Sequence, residues 1–515
     1  MIKITEPYKA DRPQTEVIPP LLFIMKESLD PLRIAVEHLY VSQKTAEQKA
    51  KSMLERVDPR QKQSVTNLIH YLALRREDLR PLQDDLHDAG LSSLASAEGH
   101  ILRQVQAVLQ RLGARFSPRE LSVGDSKLGT KLLRQRVDTL FGQKPDPKIP
   151  HLMVTFESGM AKDYHAVKAL LKAGMNIARI NSAHDEPDDW RRMITNVHKA
   201  SRATGLPCKI YLDLAGPKIR TILLGKGRKK GRLKLLENES FLLSESNFEW
   251  NKKQKVVGCT LAGVVKDLRV GDRVLFDDGL YEAVVEIPGE QIATLRMIRV
   301  SGGKSGLKPE KGINFPDTEL SVRCLTDYDK SLIPFALEHA DLLGFSFVRS
   351  AADVAELQKL LGQHGGKKIP IILKIETFEA VQNLPALLVQ GMAEPAFGVM
   401  IARGDLAVEI GFERLSEVQE EILWLCEAAH VPVIWATQVL ETLNKSGIAT
   451  RSEVTDAARA AQAECVMLNK GKYLLTVLAT LQDILHRSEG HRAKKRYMFR
   501  PLKIAERFLS PNNGF

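Results

Sequence analysis

A carboxylate follows a run of apolar residues in the segment 398–410, GVMIARGDLAVEI. The apolar run predicts a buried strand, and Arg403, Gly404 and Asp405 come where that strand should end. In α/β enzymes the catalytic groups lie at the carboxyl ends of parallel strands, so Asp405 is a candidate for chemistry. An acidic residue at this position is also common as a turn or helix N-cap, and this segment alone leaves both interpretations open.

Polar side chains recur at the ends of other apolar runs in the chain. Five are lysine or arginine and two are carboxylates, and the full set is Arg179, Asn181, His184, Asp213, Lys218, Arg220, Lys374, Glu376, Thr437, Asn469 and Lys470. Cations gathered on one rim repel one another unless anions bind among them, and carboxylates from neighbouring strands suit a divalent metal. Phosphate together with magnesium is the ligand combination that this set favours. Each residue taken singly could instead form a structural ion pair or satisfy the backbone.

The elements that must position these residues alternate between strand and helix from His151 onward. Eight apolar runs have the length of a strand, and an amphipathic segment follows each; the runs are residues 152–156, 176–180, 208–214, 341–347, 370–375, 397–402, 432–437 and 464–468. Parallel strands need such helical crossovers, so eight repeats predict an α/β protein with a (β/α)8 TIM barrel. The polar residues would then share one rim of the barrel.

Three further segments interrupt or flank the barrel pattern. After the third strand the sequence turns to short alternating stretches with turn signals such as Asp278-Gly279, which predict a small all-β insertion. The region before the barrel has helical periodicity, and the region after it is short and basic. The predicted domains are a helical N-terminal extension at 1–147, the barrel at 148–221 and 316–487, the β insertion at 222–315 and a basic tail at 488–515.

Composition narrows the classes of partner. The formal charge of +11 favours anionic ligands, but no aromatic residues interleave with the basic run 226–234, so we expect no nucleic-acid partner. The five cysteines lie far apart without a Cys-x-x-Cys pair, which argues against a zinc ribbon or a redox motif and favours a reducing cytoplasm. No 18 apolar residues run together, so we expect no membrane partner.

Seven motifs between residues 151 and 485 resemble the pyruvate kinase family. They are, in order, NIARINSAHD, DLAGPKIRT, KGINFP, GFSFVRSAADV, LKIETFEAVQNL, IARGDLAVEI and VIWATQVLETL. The β insertion falls where that family carries a mobile lid domain. The resemblance implies an enzyme that moves the phosphoryl group of phosphoenolpyruvate to ADP with Mg²⁺ or Mn²⁺, giving pyruvate and ATP.

The resemblance also implies roles for single residues. Glu376 and Asp405 would be the divalent-metal ligands, and Lys374 would neutralise the phosphoryl group in flight. Thr437 would lie beside the enolate carbon and help to deliver a proton through water. The amides of Gly404 and Asp405 suit the carboxylate of phosphoenolpyruvate, because glycine lets the backbone approach closely.

Four more residues would bind phosphate groups. Arg179 and Arg220 would hold phosphates as part of the catalytic set, with Arg179 also on the substrate. Asn181 and His184 would line the nucleotide phosphate pocket together with Arg220.

The chain departs from the family pattern in ways that bear on its cofactors. The usual serine two residues after Asn181 is Ala183, which removes a hydroxyl ligand for a monovalent cation. The segment 214–218 reads LAGPK, and the ammonium of Lys218, paired with Asp213, would supply the positive charge that potassium otherwise provides. We therefore expect activity without potassium. Only a short basic segment follows the predicted barrel, so we expect the family's C-terminal effector domain to be missing and expect no control by a sugar phosphate at that domain.

Three hypotheses of function stand beside one another. The first is an active phosphotransferase acting on phosphoenolpyruvate and ADP, forming a homo-oligomer. The second is a catalytically impaired barrel that binds a phosphorylated metabolite and acts as a regulatory or scaffold protein through residues 1–147. The third is a barrel enzyme that uses the same enolate chemistry on another 2-oxo acid or on a phosphoenolpyruvate-like substrate. An assay with divalent metal, ADP and phosphoenolpyruvate separates the first from the other two.

Overall fold

The computed structural model describes residues 21–225, 228–229, 231–245, 254–301, 306–365, 368–489, 492–493 and 496–497. Part of the basic run 226–234 and almost all of the basic tail 488–515 lie outside the described residues. No helix among the described residues is long and apolar enough to cross a membrane.

The N-terminal region is helical, which confirms the prediction for this part of the fold. Its helices are α1 (Leu21–Lys49), α2 (Lys51–Leu54), α3 (Lys62–Arg75), α4 (Arg80–Asp88), α5 (Ile101–Arg111) and α6 (Ser126–Phe141). Asp125 caps α6 by accepting a hydrogen bond from the Leu128 amide at 2.8 Å, and the helix ends before Gly142, whose φ is 81°. The apolar side chains of α5 that repeat at the helical period are buried.

Eight parallel strands close into a barrel, as the sequence predicts. They are β1 (His151–Thr155), β2 (Ile177–Asn181), β3 (Lys209–Asp213), β13 (Leu342–Phe345), β14 (Ile371–Ile375), β15 (Phe397–Ala402), β16 (Val433–Ala436) and β17 (Cys465–Leu468). The hydrogen-bonded order around the barrel is β1-β17-β16-β15-β14-β13-β3-β2. Each predicted strand is found within two residues of its expected bounds, because continuous apolar runs flanked by helices are the pattern of a doubly covered parallel sheet.

Helices follow the barrel strands on the outside. They are α7 (Tyr164–Lys172), α8 (Pro187–Thr204), α9 (Asp327–Ser331), α10 (Ile333–His339), α11 (Ala351–Gln363), α12 (Phe378–Gln382), α13 (Leu384–Gly391), α14 (Arg403–Ile410), α15 (Leu415–Ala428), α16 (Glu441–Ser446), α17 (Arg451–Arg459) and α18 (Leu474–Glu489), with a short β18 (Arg492–Ala493) and β19 (Arg496–Tyr497) after them. The segment that begins at Arg403 is therefore the first turn of a helix, and strand β15 ends just before it.

The predicted β insertion between the third and fourth barrel strands is present. Its strands are β4 (Thr221–Gly225), β5 (Arg228–Lys229), β6 (Arg232–Leu233), β7 (Ser240–Glu245), β8 (Lys255–Cys259), β9 (Arg273–Phe276), β10 (Tyr281–Ile287), β11 (Ile292–Val300) and β12 (Ile313–Asn314). Seven of them form one sheet in the order β12-β9-β10-β11-β7-β8-β4. Alternate side chains of β10 and β11 point into a separate apolar core that includes Phe241 and Phe276.

The helical region closes the amino end of the barrel. Leu140 and Phe141, at the end of α6, belong to the same buried apolar cluster as Met153 and Ile177 of the barrel strands. The Asn67 amide of α3 donates a hydrogen bond of 2.7 Å to the carbonyl of Ala428, at the end of α15. The helices before the barrel therefore form part of its packing.

Candidate active site

The predicted site residues lie at the carboxyl ends of the barrel strands. Lys374 is in β14, and Glu376 follows that strand directly. Asp213 is the last residue of β3, and Thr437 comes immediately after β16. Asp405 lies in the first turn of α14, just beyond β15. This is the rim at which (β/α)8 enzymes carry their chemistry.

Lys374 is buried between two carboxylates. Its Nζ lies 2.9 Å from Oε1 of Glu376 and 3.2 Å from Oδ2 of Asp213, and it donates a hydrogen bond of 2.7 Å to the hydroxyl of Ser346. Burial works against the charged ammonium, but Asp213 and Glu376 outweigh it and raise the pKa of Lys374 above its usual value. The side chain is therefore a fixed positive charge at neutral pH.

Asp213 also holds Arg179. The Arg179 Nε donates to Asp213 Oδ2 at 3.1 Å, and Nη1 donates to the hydroxyl of Thr155 at 3.0 Å. Burial tends to raise the pKa of the Asp213 carboxyl, but Lys374 and Arg179 outweigh that effect and lower it. An ionised carboxylate thus aligns two cations on the inner wall of the rim.

Glu376 and Asp405 are the two carboxylates predicted to bind metal. The Glu376 Oε2 accepts a hydrogen bond of 2.7 Å from the Phe347 amide. Burial raises the pKa of Glu376, Lys374 opposes the shift, and the nearby charge of Asp405 adds to it. The two carboxylates are therefore close enough to repel each other, which is the situation that a shared cation relieves.

Lys218 does not pair with Asp213 as the sequence predicted. Its Nζ lies 2.8 Å and 2.9 Å from the two Oδ atoms of Asp405, whereas Asp213 is occupied by Arg179 and Lys374. The physical reason is that two buried cations already neutralise Asp213, so the Lys218 ammonium pairs with Asp405, which has no other cation among the described residues. Lys218 therefore contacts a predicted metal ligand directly.

The donor set fits a divalent metal held in part by its substrate. No group of three or more histidine, cysteine or acidic side chains in the described part of the chain could hold a metal alone. Mg²⁺ commonly takes only one or two carboxylates from a protein and completes its octahedron with substrate phosphates and water. Glu376 and Asp405 would supply those carboxylate oxygens. In the structure Lys374 forms an ion pair with Glu376, and Lys218 forms one with Asp405.

Thr437 faces the first turn of α14 with an unused hydroxyl. Its Oγ1 is buried and has no hydrogen-bond partner among the described residues. A Cβ built on Gly404 would lie 3.7 Å from that Oγ1, so the two residues are adjacent across the rim. The amides in the first turn of a helix are free to bind an anion. The unpartnered hydroxyl and the start of the helix therefore lie side by side, an arrangement that suits a carboxylate.

The backbone at Thr437 is held in an unusual conformation. Thr437 and Gln438 have φ values of 63° and 55°, in the left-handed region that costs a side-chain-bearing residue about 1–3 kcal/mol. The Arg403 guanidinium donates to the carbonyls of Ala436, at 2.9 Å, and of Thr437, and it is anchored by Asp456. Arg403 therefore holds the backbone at Thr437, and its own guanidinium is engaged by Ala436, Thr437 and Asp456.

The predicted nucleotide residues lie on another part of the rim. Asn181 accepts a hydrogen bond of 3.1 Å from the Ala183 amide through Oδ1, and His184 follows in the same exposed turn. Burial lowers the pKa of His184, and the positive charges of Lys470 and Arg220 act in the same direction. The Arg220 guanidinium donates to the carbonyl of Glu310 at 3.0 Å, at the base of the β insertion. The structure thus brings Arg220 to this turn but ties it to the insertion.

Several contacts at the site were not predicted. Ser346 and Thr155 could have been found, because each is a hydroxyl at the carboxyl end of an apolar strand. Asp456 could not, since it comes from a helix that the strand pattern does not distinguish. Glu409 is also new: its carboxylate accepts a hydrogen bond of 2.8 Å from Asn314, and burial raises its pKa to about 7. It lines a cavity of about 570 Å³ between the insertion and the barrel, beside Asp405.

The closed barrel with a β domain inserted after its third strand and a charged rim at the carboxyl ends of its strands defines the class of the fold as a (β/α)8 barrel with an inserted domain. Residues 152–474 match the family model described as the barrel domain of pyruvate kinase. The chain is 34% identical over 327 residues to a pyruvate kinase of Geobacillus stearothermophilus, covering 62% of this chain and 54% of the relative. It is 33% identical over 347 residues to a pyruvate kinase of Thermotoga maritima, covering 66% and 70%.

A pyruvate kinase of Staphylococcus saprophyticus is 32% identical over 350 residues, which cover 67% of this chain and 58% of the relative. The chain spans about half the length of some of these curated relatives. The match to the barrel model covers more than half of the chain, and the family predicted from the motifs is confirmed: this protein belongs to the pyruvate kinase family.

Proposed function

We propose that the protein transfers the phosphoryl group of phosphoenolpyruvate to ADP, giving pyruvate and ATP. The observation that carries this proposal is the buried Lys374 ammonium, held between Asp213 and Glu376 at the strand ends next to Asp405. Such an arrangement presents a fixed cation and two metal-binding carboxylates to one small volume. Phosphoryl transfer depends on this kind of positioned charge more than on covalent chemistry by the protein.

In the proposed reaction a terminal oxygen of ADP attacks the phosphorus, and the bond from phosphorus to the enolate oxygen breaks. A divalent metal on Glu376 and Asp405 would supply Lewis-acid stabilisation of the phosphoryl and enolate oxygens. Lys374 neutralises the negative charge of the phosphoryl group as it moves. The enolate that is left takes a proton at its terminal carbon through water held by the Thr437 hydroxyl, which has no partner within the described chain.

The remaining predicted residues bind the substrates in this proposal. The amides of Gly404 and Asp405 hold the carboxylate of phosphoenolpyruvate at the start of α14, where Thr437 is adjacent. Arg179 binds its phosphate while Asp213 fixes the guanidinium. Arg220 leaves the Glu310 carbonyl to reach the nucleotide phosphates.

Asn181 and His184 occupy the turn that would face those nucleotide phosphates. The lowered pKa of His184 keeps its ring neutral at pH 7, so it can accept or donate a hydrogen bond without adding charge. We further propose that the domains divide after residues 147, 221, 315 and 487. We also propose that the protein assembles as a homo-oligomer, and light scattering at two protein concentrations tests this assembly.

Potassium independence forms part of the proposal. Lys218 supplies a monovalent cation at the rim, and Ala183 lacks the hydroxyl that would bind potassium. Turnover in tetramethylammonium chloride should equal turnover in potassium chloride within about twofold, because the charge is already built in. A strict requirement for potassium in this comparison would refute the role given to Lys218.

The test of the function is a coupled assay with Mg²⁺ or Mn²⁺, ADP and phosphoenolpyruvate. Pyruvate should appear only when all three are present. Lys374→Ala should lower kcat on the order of 10³-fold or more, by comparison with other cationic groups in phosphoryl transfer. Near-unchanged turnover in that variant would remove Lys374 from the mechanism. Metal-dependent binding of phosphoenolpyruvate without turnover in the wild type would favour the regulatory alternative.

A further inference from the structure

A second charged cavity lies at the opposite end of the barrel from the candidate active site. It has a volume of about 580 Å³ and is bounded by α6 on one side and by the segments that lead into β14 and β15 on the other. Pro370 and Ala396, each one residue before its strand begins, form part of the barrel wall. The cavity therefore lies at the junction of the helical region and the barrel.

A buried guanidinium without a carboxylate partner forms one wall of this cavity. Arg136 of α6 is 8% exposed, and its Nη1 donates to the carbonyls of Ala429 and His430 at 2.9 Å and 2.7 Å. Its Nη2 donates to the hydroxyl of Ser64 at 2.7 Å. No acidic side chain in the described part of the chain forms an ion pair with it. All of its partners are neutral.

The charge on Arg136 is only partly compensated. The two carbonyls follow the last turn of α15, whose dipole supplies roughly half a negative charge at that end. Burial lowers the pKa of Arg136 to about 10, so the guanidinium is still charged at neutral pH. Of the five N–H donors of an arginine, three take part in these hydrogen bonds. The Nε–H and one Nη2–H are left without an acceptor among the described residues.

Two further cations stand at the mouth of the cavity. Arg60 and Lys368 line it, and both carry exposed charged groups. Arg60 Nη2 lies 2.9 Å from Asp58, and Lys368 Nζ lies 3.1 Å from Glu394. Glu394 is the one carboxylate among the described lining residues, against three cations. The Lys368 pair is a single exposed contact and therefore weak, so Lys368 can turn to a ligand at little cost. Arg60 donates from Nε and Nη2 to the two Oδ atoms of Asp58, so it would bind a ligand through its other N–H groups.

We propose that this cavity is a binding site for a compact dianion with oxygen acceptors, held by Arg136 at its base and by Arg60 and Lys368 at its mouth. A guanidinium with unused N–H groups matches the oxygens of a phosphate or a carboxylate. The anion would supply the charge that the helix end supplies only in part. The size of the cavity admits a phosphorylated or dicarboxylic metabolite and not only a bare ion.

The position of the site gives such binding a route to the candidate active site. Strand β14 begins directly after Pro370 and leads to Lys374 and Glu376 at its other end. Strand β15 begins directly after Ala396 and leads to Asp405. An anion that bridges α6 to the amino ends of these two strands would restrain both carboxylates at their carboxyl ends. This coupling rests on the proposed function, whereas the binding does not.

Isothermal titration calorimetry with inorganic phosphate and with succinate, on the full chain at constant ionic strength, tests the proposal. The double variant Arg60→Gln/Lys368→Gln should weaken the binding of at least one of the two probes about tenfold or more, because both cations at the mouth are removed. Arg136→Met should abolish that binding, with its thermal midpoint measured alongside because the residue is buried. Tighter binding of phosphate would identify the phosphate class, and tighter binding of succinate the dicarboxylates.

Two controls separate this cavity from the candidate active site. Lys445→Gln removes an exposed lysine that pairs with Glu441, neither of which lines the cavity, and it should leave the affinity unchanged. Lys374→Ala disrupts the active site and should also leave this binding in place. The proposal is overturned if neither probe binds the wild type, if binding survives in the double variant, or if it disappears in Lys374→Ala alone.

Discussion

Replacing Lys218 with methionine should strengthen the binding of a divalent metal to the substrate-free protein. In the structure the Lys218 ammonium lies within 2.9 Å of both Oδ atoms of Asp405, the carboxylate that we propose as a metal ligand. A metal that binds Asp405 must therefore displace the lysine or share the carboxylate with it. Methionine keeps the length of the side chain and removes this competitor.

The magnitude follows from the exposure of the ion pair. The side chains of Lys218 and Asp405 are 31% and 19% exposed, so the pair lies between a surface ion pair and a buried one. Exposed pairs contribute about 0.2–1 kcal/mol, and hydrogen bonds to charged groups contribute about 1.5–3 kcal/mol. A value of about 1–2 kcal/mol for this pair corresponds to a roughly 5- to 30-fold gain in metal affinity.

The assay is a titration with Mn²⁺ in the absence of substrate, followed by electron paramagnetic resonance of the free ion. Lys311→Met is a matched control, because Lys311 forms a comparable ion pair with Asp277 in the inserted domain at 2.7 Å. The dissociation constant should fall in Lys218→Met and stay constant in Lys311→Met. An unchanged or higher dissociation constant in Lys218→Met would refute the idea that this lysine competes with the metal.

Two further predictions concern stability. Burial raises the pKa of Glu409 to about 7 from 4.5, so the folded protein binds the proton more tightly than the unfolded chain. The stability that this group contributes is therefore fully present below pH 4.5 and is lost as the pH rises through 7. The thermal midpoint should therefore decrease as the pH rises from 5 to 8. Glu409→Gln, which keeps an acceptor for Asn314, should reduce this dependence of the thermal midpoint on pH. The same pH dependence in the variant and the wild type would contradict the prediction. Phe141→Ala should lower the free energy of unfolding by about 3–5 kcal/mol, because it leaves a cavity in the apolar cluster at the amino end of the barrel. A loss below about 1 kcal/mol in urea denaturation would show that α6 does not pack into the barrel.

The barrel could be predicted from the sequence because its strands are continuous apolar runs between amphipathic helices. Residues 397–402, for example, form a strand at the predicted bounds. The helix that follows could not be recognised, since the apolar residues of 406–410 suit a helix or a strand equally well over so short a length. The pattern therefore correctly predicts that a residue such as Lys374 lies near the carboxyl end of its strand.

What the pattern does not contain is which charged groups meet across the rim. Lys218 and Asp405 are 187 residues apart, and their contact depends on how the segment leading into the insertion crosses the barrel. The same limit applies to Leu140 and Phe141: the helical period shows that α6 has an apolar face, but it does not show that this face enters the barrel. Partners of this kind are set by tertiary packing.

The most direct test of the proposed phosphoryl transfer is phosphorus nuclear magnetic resonance of the wild-type protein with phosphoenolpyruvate, ADP and Mg²⁺ in potassium-free buffer. The signals of phosphoenolpyruvate and ADP should fall together while those of ATP rise in equal amount, and omission of the metal should stop the change. A folded protein that produces no ATP, or that releases inorganic phosphate in its place, would contradict the proposal.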